Sequence, residues 1–134
     1  MKVYLGLGSN IGDKKGNIDY AIRKIDELLG TVKRKSGYFE SLPWGFESKN
    51  DFINVAIMIE TDLDPLELLY QLQQIEIDMG REEKTSNGEY TDRIIDIDIL
   101  LYEDLVIDLP ELKVPHPLME ERDFVMKPLK EILG

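Results

Sequence analysis

Arg93-Ile94-Ile95-Asp96-Ile97-Asp98-Ile99-Leu100-Leu101 alternates with a period of two. Ile95, Ile97, Ile99 and Leu101 form one aliphatic side, the pattern of a strand lying on a core. Asp96 and Asp98 then project together from the opposite side, their α-carbons about 6.5 Å apart. Asp is disfavoured inside strands, and two carboxylates held that close repel unless a cation lies between them. A solvated strand face is the ordinary alternative for such a pair. A divalent-metal site on an open sheet face gives both residues a purpose. The run from Phe52 to Ile59 repeats the two-sided pattern, with Ile53, Val55, Ile57 and Ile59 on one side and Phe52, Asn54, Ala56 and Met58 on the other. One face is thus built for packing. The other carries aromatic, amide and carboxylate groups, where a ligand would sit.

The remaining elements follow from the same kind of periodicity. Residues 2–8 read as a first strand, with Val3, Leu5 and Leu7 inward and Tyr4, Gly6 and Gly8 on the other side. A turn over 8–13 leads into a helix over 14–29, where Ile18, Ala21, Ile22, Ile25, Leu28 and Leu29 share a side and Gly30 is the stop. Residues 31–39 read as a second strand, 41–51 as a loop and 52–60 as a third strand. Asp64-Pro65-Leu66-Glu67 opens a second helix with a capping Asp, Pro at the first position and Glu three residues after the cap. Leu68, Leu69, Leu72, Ile75 and Met79 form its core side, and Gly80 closes it. A polar loop over 82–92 precedes the Asp-bearing strand at 93–101; a short strand near 105–107 and a helix over about 126–133 follow. Strand-helix-strand-strand-helix-strand is the α+β, ferredoxin-like βαββαβ arrangement, a mainly antiparallel sheet with helices packed on it. Both helices cover the aliphatic face in this reading and leave the opposite one free.

A chain of 134 residues, 43% hydrophobic and 32% charged, reads as one soluble domain over 1–134. It has no cysteine, which excludes disulfides and thiolate metal sites. No apolar run approaches membrane-spanning length, and the Gly- and Asn-rich stretch after Leu7 fits no signal peptide, so the cytoplasm is the default. The formal net charge of −11 argues against a nucleic-acid partner, because phosphate backbones are bound through many Lys and Arg contacts. One small anion is still compatible, since charges separated by more than roughly 8 Å are largely screened. Arg81, Lys84, Arg93, Lys113, His116 and Arg122 offer a local positive cluster interleaved with the Asp pair. Gly6, Gly8 and Gly12 invite a phosphate-loop reading, but the Lys-Ser/Thr end is missing and the dinucleotide spacing fails at Ile11; a tight turn is the better account. Arg81 past a helix end has a dipole explanation as well as a catalytic one. His116 is held between Pro115 and Pro117.

Six blocks, in order and over nearly the whole chain, resemble the 6-hydroxymethyl-7,8-dihydropterin pyrophosphokinase family of folate biosynthesis. They are Leu7-Gly8-Ser9-Asn10, Asp51-Phe52-Ile53-Asn54-Val55-Ala56, Glu76 through Gly80-Arg81, Arg93 through Leu100, Val114-Pro115-His116-Pro117 and Glu121-Arg122-Asp123-Phe124. The resemblance implies transfer of the β,γ-pyrophosphoryl group of ATP to the pterin hydroxymethyl oxygen, with release of AMP. It implies that Asp96 and Asp98 hold two magnesium ions bridging the phosphates, and that Arg81 and Arg93 bind the transferred phosphates and assist catalysis. Gln73, Glu76, Lys84, Ile99, His116 and Arg122 match ATP-contacting positions. The pterin is expected between Phe52 and Phe124, with Asn54 and the Ser41, Leu42 and Trp44 loop reading its polar edge. Tyr90 is expected as a lid where the family often has tryptophan, and the loops at 41–51 and 82–92 are expected to close on ligand. The expected protein is a cytoplasmic monomer with ATP and the pterin as its partners, and with no nucleic-acid or membrane partner. Glu82, Glu83 and Glu111 are acidic where the family is often basic. They favour the alternative, a ferredoxin-like ligand-sensing or interaction module without activity.

Overall fold

The computed structural model describes residues 1–41, 51–80, 94–117 and 119–133. Its main sheet contains β1 (Lys2–Ser9), β2 (Thr31–Lys35), β3 (Phe39–Ser41), β4 (Phe52–Glu60) and β5 (Asp96–Tyr102). The strands lie in the order β2-β4-β1-β5, with β3 pairing the start of β4, and every pairing is antiparallel. Helix α1 (Lys14–Leu28) connects β1 to β2, and α2 (Pro65–Asp78) connects β4 to β5. Each connection skips one strand, which gives the split βαβ units expected of a ferredoxin-like α+β fold. β6 (Ile107–Asp108) and β7 (Lys113–Val114) form a separate two-stranded ribbon, and α3 (Asp123–Ile132) ends the fold after a short 3₁₀ turn at Met119–Glu121. No helix among the described residues is long and apolar enough to cross a membrane.

The helix boundaries follow their caps. Asp13 accepts the Gly16 N–H at the start of α1, and Asp64 Oδ1 accepts the Glu67 N–H at 2.9 Å, with Pro65 at the first helical position of α2. Gly80, at φ +97, provides the left-handed residue that ends α2. Val3, Leu5, Leu7, Ile53, Val55, Ile57, Ile59, Ile95, Ile97 and Ile99 pack against Ile18, Ala21 and Ile25 of α1 and Leu68, Leu72 and Ile75 of α2 in the main core. Leu69 and Met79 sit at its edge, partly buried.

Several expectations need correction. The strand expected over 31–39 is two strands, because Ser36 and Gly37 turn to other partners. Ser36 Oγ accepts the Ala56 N–H at 2.9 Å, and the Gly37 N–H goes to Glu131 Oε1 of α3 at 2.9 Å. β5 starts at Asp96 and runs through Tyr102, and its register against β1 shifts between Tyr4 and Leu5. That bulge places one extra residue in β5, so Leu100 and Leu101 lie on the second face and Tyr102 enters the main core in place of Leu101. The short strand near 105–107 is β6, outside the main sheet. The last helix starts at Asp123. Its N-cap, Arg122, makes no side-chain capping bond, so the usual start signal is missing.

The second sheet face is not free along its whole length. Ala56, Met58 and Leu100 pack with Met119, Leu129 and Ile132, joined by Tyr4, Leu101, Val125 and Met126. α3 therefore covers half of this face. The other half, around Gly8, Asn54 and the Asp pair, carries the polar side chains.

Candidate active site

Strand pairing lines up the polar half of the second face in rows. Asn54 of β4, Gly8 of β1 and Asp96 of β5 are cross-strand neighbours; Ala56, Gly6 and Asp98 form the adjacent row. Both carboxylates thus stand beside a strand that presents no side chain at either position. The space over Gly8 is tight, because a β-carbon there would lie 3.1 Å from Asn54 Oδ1 and 3.4 Å from the Phe52 ring. Glycine at this position keeps a shallow floor between the amide and the carboxylates. Gly8 was legible as an outward-facing strand residue, yet its role as a floor appears only once the rows are assembled; over Gly6 the space is filled by the Leu100 side chain, 3.4 Å from where a β-carbon would lie. The glycine turn is ordinary: Gly12 sits at φ +71, and Asn17 Nδ2 donates to Ser9 Oγ and Ile11 O, at 3.3 and 3.0 Å.

Asn54 is buried, and its Nδ2 donates to Ser41 Oγ at 2.7 Å and to Phe39 O at 3.3 Å. β3 therefore fixes the orientation of this amide. Ser41 and Phe52 are register partners, part-exposed at the same end of the sheet. Phe124 lies part-buried in the first turn of α3, an element packed on β3 and β4, and the Arg122 guanidinium sits 5.8 Å from the centre of its ring. The structure thus places Ser41, Phe52, Asn54 and Phe124 on elements that border the same half-face.

On the other side of the Asp pair, a cavity of about 280 Å³ opens between β5, the end of the β6–β7 ribbon and α2. Leu69, Asp98, Ile99, Leu112, Lys113 and His116 contribute to its lining. Lys113 belongs to the expected positive cluster, whereas Leu69 and Leu112 were not anticipated as site residues; their signal was only their nearness in sequence to expected ones. The Ile99 side chain is in the main core. Strand parity puts its N–H and C=O on the outer edge of β5, and these are the groups it can present. His116 follows a cis Val114–Pro115 peptide, and its backbone N–H donates to Leu100 O at 3.0 Å. Its Nε2 lies 4.0 Å from Asp98 Oδ1, and its Nδ1 is buried with no hydrogen-bond partner among the described residues. Burial, foremost, and the Arg122 charge hold the imidazole below its ordinary pKa near 6.5, while the Pro117 backbone and then Asp96 oppose them. Arg122 is buried at the N-cap of α3. Gln73 is exposed on α2, whereas Glu76 is buried and its Oε2 accepts the Ile97 N–H at 2.8 Å. Arg81, Lys84, Arg93, Leu42, Trp44 and Tyr90 lie outside the described residues, as does nearly all of both expected lid loops.

Among the described residues no group of three or more His, Cys, Asp or Glu converges as a metal cage. Two part-exposed carboxylates suit magnesium, which keeps water and substrate oxygens in its shell and needs only one or two protein carboxylates. The donor set fits a metal shared with a phosphate ligand. A larger recess of about 570 Å³ lies at the opposite end of β1, near Met1, Gly30 and Thr61. Its lining carries Glu60 and Asp62 and no Lys, Arg or His, whereas the cavity beside β5 sets Lys113 and His116 against Asp98 and Glu111.

Proteins of known name match nearly the whole chain. A relative from Aquifex aeolicus named 2-amino-4-hydroxy-6-hydroxymethyldihydropteridine pyrophosphokinase is 48% identical over 130 residues, covering 97% of this chain and 79% of its own length. A protein of the same name from Porphyromonas gingivalis is 41% identical over 131 residues, covering 97% of this chain and 89% of its own. A folic acid synthesis protein of Dictyostelium discoideum is 44% identical over 130 residues, 97% of this chain but 19% of that longer protein. The sequence profile of the 7,8-dihydro-6-hydroxymethylpterin-pyrophosphokinases matches residues 4–134. With glycine-floored carboxylates on its open sheet face and these relatives over nearly its whole length, the chain belongs to the 7,8-dihydro-6-hydroxymethylpterin-pyrophosphokinase family.

Proposed function

We infer that this chain transfers the β,γ-pyrophosphoryl group of ATP to the hydroxymethyl oxygen of 6-hydroxymethyl-7,8-dihydropterin, in folate biosynthesis. The products are the pterin diphosphate and AMP. The observation that carries the reading is the pair of rows Asn54–Gly8–Asp96 and Ala56–Gly6–Asp98. The first row sets a hydrogen-bonding amide and a carboxylate on either side of Gly8, and the second brings Asp98 beside Asp96, with Leu100 closing the space over Gly6. The alternative, a module without activity, is not favoured by relatives that are named as the pyrophosphokinase.

In this reading the pterin lies flat over Gly8, with Phe52 and Phe124 at its faces and Asn54, Ser41, Leu42 and Trp44 at its polar edge. Tyr90 takes the lid position. ATP enters from the cavity between β5 and the β6–β7 ribbon, against Ile99, His116, Arg122, Gln73 and Lys84, while Glu76, buried with its carboxylate on the Ile97 N–H, acts from behind β5 without touching the nucleotide. Asp96 and Asp98 would hold two magnesium ions, which would supply charge neutralisation for the phosphate oxygens. The pterin oxygen bonds to the β phosphorus, the bond from that phosphorus to the α,β-bridging oxygen breaks, and AMP departs. Arg81 and Arg93 bind the transferred phosphates. The hydroxyl proton passes to solvent. His116, its imidazole held by burial below the ordinary pKa, orients phosphate as a hydrogen-bond donor. Most of the rate comes from positioning and preset electrostatics. Residues 1–134 work as one domain, a monomer in the cytoplasm with ATP and the pterin as partners.

Product analysis tests this. Incubation with ATP, magnesium and the hydroxymethyl pterin gives AMP and pterin diphosphate in equal amounts. Formation of ADP, or no nucleotide product at all, overturns the reading.

A further inference from the structure

Ile97 stands between the two carboxylates of β5. Its side chain is 6% exposed and fixed in the main core. Its N–H points away from β1 by strand parity, toward the outer edge of β5, which has no further strand beside it among the described residues. That N–H is taken by Glu76 Oε2 at 2.8 Å, from the last turn of α2, with Glu76 itself 4% exposed. A buried carboxylate is costly unless it is hydrogen-bonded. A bond from N–H to an ionised acceptor is among the stronger ones.

The Ile97 N–H belongs to the peptide plane that links residues 96 and 97. Turning that plane rotates the backbone of Asp96 and changes the angle between the Asp96 and Asp98 side chains. We propose that Glu76 is a positioning residue for the metal site: its carboxylate, by holding the Ile97 N–H, locks the peptide between Asp96 and Asp98 and sets their bite. This rests on the reading of that pair as the magnesium ligands. Outer-shell partners of metal ligands typically change affinity about 10- to 100-fold when removed.

The test uses two variants and two readouts, neither of them turnover. Mn²⁺ binding is followed by electron paramagnetic resonance with α,β-methylene-ATP, whose carbon bridge blocks transfer. Exchange of the Ile97 amide is followed by NMR in the metal-free protein. In Glu76→Gln the side-chain oxygen still accepts the N–H, so Mn²⁺ affinity is expected within about threefold of the parent and the amide stays protected. In Glu76→Leu the acceptor is gone; affinity falls at least tenfold and the amide exchanges faster. Affinity that parts company with Ile97 protection in either variant, or a Leu variant with parental affinity, overturns the proposal. If Glu76→Leu does not melt cooperatively, the same rule applied to Glu76→Gln decides. The parent separates the two ideas. If it binds no Mn²⁺ with the analogue, the metal reading itself fails; if it binds and the variants break the rule, only the role of Glu76 fails.

Discussion

Asp98, proposed as a metal ligand, stands apart from the packing of the fold. Its side chain is 39% exposed and belongs to neither core cluster. Asp98→Ala is therefore expected to change unfolding free energy by less than about 0.5 kcal/mol, the usual range for a surface position. Turnover should fall at least about 100-fold, since metal charge stabilisation is worth several kcal/mol and each 1.36 is tenfold. Thermal melts and AMP release measure the two effects separately. At Gly8, a β-carbon 3.1 Å from Asn54 Oδ1 forces the amide to move. Gly8→Ala should weaken pterin binding by about 1–3 kcal/mol, the range for overpacking, with little change in ATP binding; titration with each ligand separates them. The lowered pKa of His116 gives a third test. In the ligand-free protein its NMR titration midpoint should lie below 6.5, and Asp96→Asn should lower it further, because the Asp96 charge is one of the influences that raise it. The sign for stability follows. A folded pKa below the unfolded value makes the contribution of His116 complete above pH 6.5 and lost as the pH falls through the lowered value.

Caps and strand parity control what could be read at the level of elements. α2 was legible to its ends because Asp64, Pro65 and Gly80 mark it. Asp64→Ala should cost about 1 kcal/mol in a denaturant melt, as lost N-caps generally do. α3 was misplaced by three residues because Arg122 leaves its start without a side-chain cap. The inward and outward sides of β1, β4 and most of β5 were readable from alternation alone, and with them the Asp pair and Asn54. Leu101 and Tyr102 were not, because a bulge exchanges their sides without any Gly or Pro to mark it. Nor was the burial of Glu76 under β5, since a glutamate near a helix end reads as solvated until the sheet edge beside it is known. The cavity wall came from chain returns that local periodicity does not encode. Leu112 and Lys113 reach it only through the β6–β7 ribbon.

At the scale of the molecule, the sheet is sandwiched unequally. α1 and α2 cover one face completely, whereas α3 covers only the end of the other that holds Ala56, Met58 and Leu100. Stability and chemistry are therefore separated along the strands as well as across the sheet. Ile57, fully buried in the main core, should cost about 2–5 kcal/mol when replaced by Ala, without altering ligand affinity in the fraction that remains folded. Chemical denaturation and ligand titration of the same variant test both halves of that expectation. The outer margin of β5 carries a further consequence. Its amide at Ile97 is occupied by Glu76, and its carbonyl at Leu100 by the backbone of His116. A strand from a neighbouring molecule would find both of those docking points taken. The same contacts thus shield this margin of the sheet from edge-to-edge aggregation.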